Sequence, residues 1–225
     1  IARQARDDDH LSKIGSRRPQ RTDCSALESG VARILLTGFQ PFHNASSNPS
    51  QSIVEALSGE SNLVTRVLPV VFGESSREIC NLIDDIAPDF VLALGQAEGR
   101  RELTPERVAI NIDHARIPDN AGNQPRETAI ESKGPAAYFS TLPIVEMVSS
   151  IRAANLPAAI SNTAGTFVCN HIFYAMQHHC RDRQIRSGFM HLPLMTSQAE
   201  EFPGLPTIEF DQMLRGVRAA LEVLR

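Results

Sequence analysis

The stretch Ser161-Asn-Thr-Ala-Gly-Thr-Phe-Val-Cys169-Asn170 carries one thiol from a run of small, polar residues into the start of a helical pattern. A cysteine in the first turn of a helix faces backbone N–H groups without intrahelical acceptors. These favour a thiolate, and they can also hold the oxyanion formed when a carbonyl is attacked. Cys169 is therefore the candidate nucleophile; the plain alternative is a small buried apolar residue, a common fate of a lone cysteine. Of the remaining thiols, Cys80 lies in a helical apolar stripe and Cys180 at a helix carboxyl end, where the dipole raises a thiol pKa. Cys24 lies in a segment without apolar periodicity.

A thiol nucleophile needs an imidazole, and often an acid or amide to orient it. His171 follows Cys169 by two positions on the same helix, so the two point to different faces. His178 and His179 sit at the far end of that helix and His10 near the amino terminus. His191 closes the apolar stretch Gly188-Phe-Met-His-Leu-Pro193 at the mouth of a predicted strand and is the best-placed base, with His43 and His114 still open. For the acid, Glu106 opens Glu106-Arg107-Val-Ala-Ile-Asn111, but pattern alone does not rank it above Asp113 or Asp119. A rival chemistry is a metal site from Cys169, His171, His178, His179 and Cys180. Neighbouring and i,i+2 helical positions do not converge on one ion, so no metal or other cofactor is expected. No GxxxxGK[ST] loop is present to cradle a nucleotide.

The rest of the chain bounds what these residues serve. With 225 residues, 42% of them hydrophobic, the chain can bury one sizeable core. A net charge of -4 and a pI of about 6.0, with no clustered basic face, exclude a nucleic-acid partner. No apolar run nears the ~20 residues of a membrane span, so no membrane partner is expected. Four unevenly spaced cysteines without a CxxC pair fit free thiols in a reducing, cytoplasmic compartment. Residues 1–30 mix five arginines, from Arg3 to Arg21, with Asp7-Asp8-Asp9. They read as a flexible extension, followed by a single domain over 31–225. The Asp triplet argues against an organelle leader, and the start at Ile1 leaves a lost leader open.

Strands are predicted at Ile34-Leu35-Leu36, ended by Gly38; at Leu63–Phe72; at Phe90–Leu94, ended by Gly95; at Val108-Ile110-Ile112; and at Gly188–Leu192, with a further short one at Ala158–Ser161. Helices are predicted from the Asn48 cap and Pro49 to about Leu57, around Ile79-Leu82-Ile83-Ile86, from Pro143 through Ile151, over Cys169–Cys180, and from Phe210 to Leu224. Strands alternating with helices make an α/β fold with a mainly parallel sheet covered on both faces. Sites in such folds gather at the carboxyl ends of strands.

Taken together, these segments resemble the pyroglutamyl peptidase I family of cysteine peptidases. The resemblance rests on Leu36-Thr-Gly-Phe-Gln-Pro-Phe42 with Asn48-Pro-Ser50; Gly95-Gln96 with Arg100; Leu103 through Asn111; Ala115-Arg-Ile-Pro-Asp-Asn120 with Gly122 and Gln124-Pro125; Gly134-Pro135 and Thr141-Leu-Pro143; Ser161 through Asn170; and Gly188 through Pro193. They follow the family's order over roughly residues 31–193. The resemblance implies a three-layer α/β/α sandwich with a mainly parallel, mixed central sheet. It also implies a metal-independent cytosolic enzyme, often a homo-oligomer in bacteria, that removes N-terminal pyroglutamate from peptides through a thioester. It makes Cys169 the nucleophile, His191 the catalytic histidine and Glu106 the active-site glutamate. Phe39, Phe42, Asn48, Gln96, Phe167 and Val168 fall on the substrate pocket, and Arg116 near the oxyanion position. The flat lactam ring asks for an apolar face and a few polar partners, and a glutamine amide can both donate and accept. His43-Asn44 departs from the family's Gly-Gly and implies a stiffer loop over the ring. A binding protein without turnover, or a metal-binding protein using the 169–180 segment, is the alternative.

Overall fold

Strands that are apolar on both faces demand cover on both sides of their sheet. The protein, seen in a computed structural model that describes residues 32–43 and 45–225, meets that demand with helices on each face. Its strands are β1 (Ile34–Phe39), β2 (Leu63–Leu68), β3 (Phe90–Gln96), β4 (Thr104–Pro105), β5 (Val108–Ile110), β6 (Ala137–Phe139), β7 (Arg186–Leu192), β8 (Leu194–Met195) and β9 (Thr207–Ile208). The helices are α1 (Pro49–Ala56), α2 (Glu74–Ile86), α3 (Ile144–Ala153), α4 (Val168–Cys180) and α5 (Phe210–Glu222). The main sheet runs β2-β1-β3-β7-β4. Its first four strands are parallel and only the short edge strand β4 is antiparallel. This is the expected mixed, mainly parallel sheet of a three-layer α/β/α sandwich.

Alternation along the strands sorts the core into two halves. Ile34 and Leu36 of β1, Leu92 and Leu94 of β3, and Met190 and Leu192 of β7 pack with residues of α1, α3 and α5. Leu35, Val91, Ala93 and Phe189, on the opposite face, pack with residues of α2 and α4. Full burial of each such aliphatic side chain contributes roughly 1.5–3 kcal/mol. Because all four central strands point the same way, Phe39, Gln96 and His191 arrive together at one end of the sheet.

Several boundaries differ from the sequence expectation for definite reasons. The second strand stops at Leu68 rather than Phe72, because Val70 and Phe72 are apolar as cavity wall and aromatic contact, not as strand. Neither Gly38 nor Gly95 ends its strand. A Cβ on Gly38 would come within 2.3 Å of the Ser50 carbonyl oxygen, so this glycine gives α1 clearance over β1. Ala158–Ser161 forms only isolated parallel bridges, Leu103 with Ala158 and Glu106 with Ser161. β5 pairs with β6, a three-residue strand largely exposed, whose short Ala-Tyr-Phe run shows no alternation to mark it. Residues 1–31, with His10 and Cys24 among them, and Asn44 lie outside the described residues.

Candidate active site

The nucleophile loop is tied down before it reaches its helix. Thr166 donates its hydroxyl to the His114 carbonyl, and the His114 N–H returns a bond to the Thr166 carbonyl. Gly165, at φ 77°, supplies the left-handed turn. α4 then starts at Val168 with extended Phe167 as its cap residue, and no side chain caps it. The N–H groups around Cys169 therefore have no side-chain acceptor. Asn170 fixes the helix in depth: its amide accepts from the Ile110 N–H and donates to the Ile110 and Ile112 carbonyls.

Cys169 extends over the end of the sheet. A Cβ on Gly95 would lie 3.0 Å from its sulfur and 2.8 Å from the Phe189 ring, so only glycine leaves room for the thiol there. Gly95 is paired in register with His191, and His191 in turn with Thr104 of β4. The Nδ1–H of His191 donates to Glu106 Oε1 at 2.7 Å, which fixes the tautomer and leaves Nε2 as the basic nitrogen. Glu106 is fully buried just after β4, with its N–H on the Phe189 carbonyl. Thiol, imidazole and carboxylate thus stand in a row across adjacent strands.

Arg100 completes that row, and sequence reasoning gave it no role. Its Nη1 lies 2.8 Å from the same Glu106 oxygen that holds His191. It also bonds the Thr104 hydroxyl and the Thr163 carbonyl. An arginine six positions before a glutamate carries no local signal of such a contact.

Electrostatics modify one expectation. Burial pushes the Cys169 thiol up to about 12; Glu106 adds to the rise, while Arg100 and the residue's own backbone N–H oppose it. The helix-start effect is present, but desolvation of a half-buried sulfur outweighs it. Burial and Glu106 thus both favour the thiol form of Cys169 over a standing thiolate. Burial also pulls His191 below its ordinary 6.5; the bond to Glu106 and its charge act upward, Arg100 downward. The resting imidazole is neutral and able to take the proton.

A cavity of about 340 Å³ opens onto this row, a size suited to a small ligand. Phe39, Phe42, Phe167, Val168 and Gln96 line it, as do Asn48, Arg116, Cys169 and His191. Glu106 stands behind His191 and does not reach it. The rings of Phe42 and Phe167 lie 5.0 Å apart. The Asn48 oxygen accepts from the Ser50 N–H and hydroxyl, and one N–H of its amide donates to the Gln40 carbonyl. Ser50 in turn accepts from the Phe39 N–H, so Asn48 shapes the aromatic turn. His43, at φ 57°, lies tilted beside Phe42, with ring centroids 6.0 Å apart.

The competing acids have other partners. Asp113 accepts from His171 Nδ1 at 2.8 Å. Asp119, although burial acts to raise it, is held below the usual carboxylate range by bonds from Asn123, Phe72 and Ala121. His114 lines the cavity but faces Glu127. The five residues weighed as metal ligands diverge, with His178 on Tyr138 and His179 on Asp84. Among the described residues no group of three or more His, Cys, Asp or Glu is placed to hold a metal.

The profile of the family described as pyroglutamyl peptidase matches residues 32–225. The chain belongs to the pyroglutamyl peptidase family. Pyrrolidone-carboxylate peptidase 1 of Ralstonia nicotianae is 51% identical over 195 residues, which span 84% of this chain and 91% of that protein. The pyrrolidone-carboxylate peptidase of Cupriavidus necator is likewise 51% identical, over 84% of this chain and 90% of its own. The crystal structure of Bacillus amyloliquefaciens pyroglutamyl peptidase I superposes with a TM-score of 0.82 at 40% identity, covering 84% of this chain and 95% of that one. Every candidate residue, from Phe39 to His191, falls inside the span matched by the pyroglutamyl peptidase family.

Proposed function

We propose that the protein is a pyroglutamyl peptidase in which Cys169, His191 and Glu106 act as a catalytic triad on peptides that begin with pyroglutamate. The 2.7 Å bond from His191 to buried Glu106, beside a thiol seated over Gly95, carries this reading. The lactam ring fits between Phe42, Phe39 and Phe167, with Val168 below it. As Cys169 Sγ attacks the carbonyl carbon after the ring, its proton passes to His191 Nε2. The carbonyl π electrons move to oxygen, which the N–H groups of the α4 start and Arg116 hold. The tetrahedral species collapses, the C–N bond breaks, and His191 returns its proton to the departing amine. Water, deprotonated by His191, then hydrolyses the thioester and restores the thiol.

Residues 31–225 form the catalytic domain in this reading. A nucleophile that must stay reduced suits the cytoplasm, and the free thiols of Cys80, Cys169 and Cys180 support that. A homo-oligomer, which the family resemblance implies, would be one way to cover the exposed ring of Phe139 on β6. Among the described residues no helix is long and apolar enough to cross a membrane. The deciding measurement is release of aminomethylcoumarin from its pyroglutamyl amide. The wild type should turn it over, and Cys169→Ala should lose at least about 10³-fold in kcat. A Cys169→Ala variant with wild-type turnover would end the proposal.

A further inference from the structure

Gln198 ends a 3-10 turn (Thr196–Gln198) that follows β8, and it is completely buried. Its Oε1 lies 2.9 Å from the Met195 N–H. A backbone N–H can only donate, so that end of the amide must be the oxygen. The other end is the NH2, which reaches two atoms: the Ser47 carbonyl at 3.1 Å and the Gln96 amide at 3.0 Å. The Ser47 carbonyl can only accept. Gln96 must therefore turn its own oxygen toward Gln198, and its NH2 is the end left for the cavity it lines. The chain of assignment begins and ends on backbone groups whose roles cannot be exchanged.

We propose that Gln198 is a specificity-determining positioning residue: it locks Gln96 as a hydrogen-bond donor, so that the pocket selects a ring bearing a carbonyl acceptor at that point. The inference rests on the pyroglutamyl peptidase reading and deepens it, since the lactam C=O, and not the lactam N–H, becomes the group that meets Gln96. Rotating the Gln96 amide by half a turn would set oxygen against oxygen. Such a mismatch leaves buried polar groups unpaired, which discriminates more sharply than shape does.

Two variants separate positioning from plain structural support. Gln198→Glu keeps the shape and the acceptor for Met195, but offers carboxylate oxygen to Gln96 and loses the bond to the Ser47 carbonyl. Gln96 would then turn its NH2 inward and its oxygen to the cavity. Gln198→Met removes both partners and leaves Gln96 free to rotate. With the pyroglutamyl coumarylamide, Gln198→Glu should raise KM by about tenfold or more, and Gln198→Met by less, with kcat falling far less than KM rises. The Ki of 2-pyrrolidone, the bare lactam, should rise in the same order. The rate of Cys169 alkylation by iodoacetamide without substrate should stay within about twofold.

A merely structural role would instead slow Cys169 alkylation in step with the rise in KM, because a disturbed turn reaches the whole site. Gln198→Met equal to or worse than Gln198→Glu, unchanged KM in both, or alkylation slowed in step with KM would each overturn the proposal. If Gln198→Glu fails to fold, Gln198→Met decides alone: KM and the 2-pyrrolidone Ki rising with alkylation unchanged supports it, and KM unchanged overturns it. Absence of turnover in the wild type would instead remove the peptidase reading, which keeps the two failures apart.

Discussion

At the scale of single residues, one oxygen of Glu106 serves a standing cation, Arg100, and one that forms only in turnover, His191. Its Oε1 meets both His191 and Arg100, and its Oε2 has no partner. The two neighbours move the imidazole in opposite directions, Glu106 upward and Arg100 downward. The acid limb of kcat/KM should therefore lie below pH 6.5 in the wild type, since His191 must be neutral to accept the thiol proton. Glu106→Gln removes the upward pull and should shift that limb further toward acid, with kcat reduced about 10²–10⁴-fold. Arg100→Met should shift it the other way, toward neutrality. It should also cost about 3 kcal/mol of stability by leaving a buried carboxylate less compensated. pH–rate profiles of the three proteins, with urea midpoints, check both signs; limbs moving together would refute this arrangement.

At the scale of elements, the sulfur depends on how closely α4 sits over β3. Gly95→Ala would push against the Phe189 ring and the Cys169 sulfur at once. Overpacking of this kind costs about 1–3 kcal/mol. A displacement near 1 Å at a reacting atom can cost about 10²-fold in rate. Turnover of Gly95→Ala, set beside its thermal midpoint, should show the rate loss far exceeding the stability loss; near-wild-type turnover would mean the sulfur does not sit there. The same glycine shows how the sequence was legible and where it misled. Apolar runs at 34–36, 90–94 and 188–192 located the central strands, and Asn48-Pro49 located a helix start, because burial and capping are written locally. Gly95 and Gly38 read as stop signals, although they are points of contact between layers. Cys169 and His191 stood out by local position alone. Local pattern did not rank Glu106 among three acids; the family resemblance did, and pairing of β4 with β7 is what brings it to His191. Arg100 and Gln198 work through contacts no local pattern records, the latter across 102 positions to Gln96.

At the scale of the whole molecule, burial sets the pH window of stability. Burial pushes Cys80 and Cys169 each up to about 12, and raises Cys180. The folded chain keeps those protons where an unfolded chain releases them, above about pH 8.5. Stability should therefore fall as pH climbs from there toward 12. On the acid side His191 is depressed, so the unfolded chain gains a proton below 6.5 that the folded one refuses. Stability should fall again as pH drops below 6.5, and further as Asp119, held low in the fold, is protonated. Urea midpoints measured from pH 5 to pH 10 should trace a plateau between these limits; a midpoint still rising at pH 10 would contradict it.

The part-buried seat of the Cys169 sulfur has a consequence for survival. Peroxide oxidises thiolates far faster than thiols. A peptidase that held its nucleophile permanently ionised would be silenced early in any oxidant burst. Here burial favours the protonated sulfur until His191 takes the proton, so idle enzyme should lose activity to hydrogen peroxide more slowly than enzyme at work on substrate.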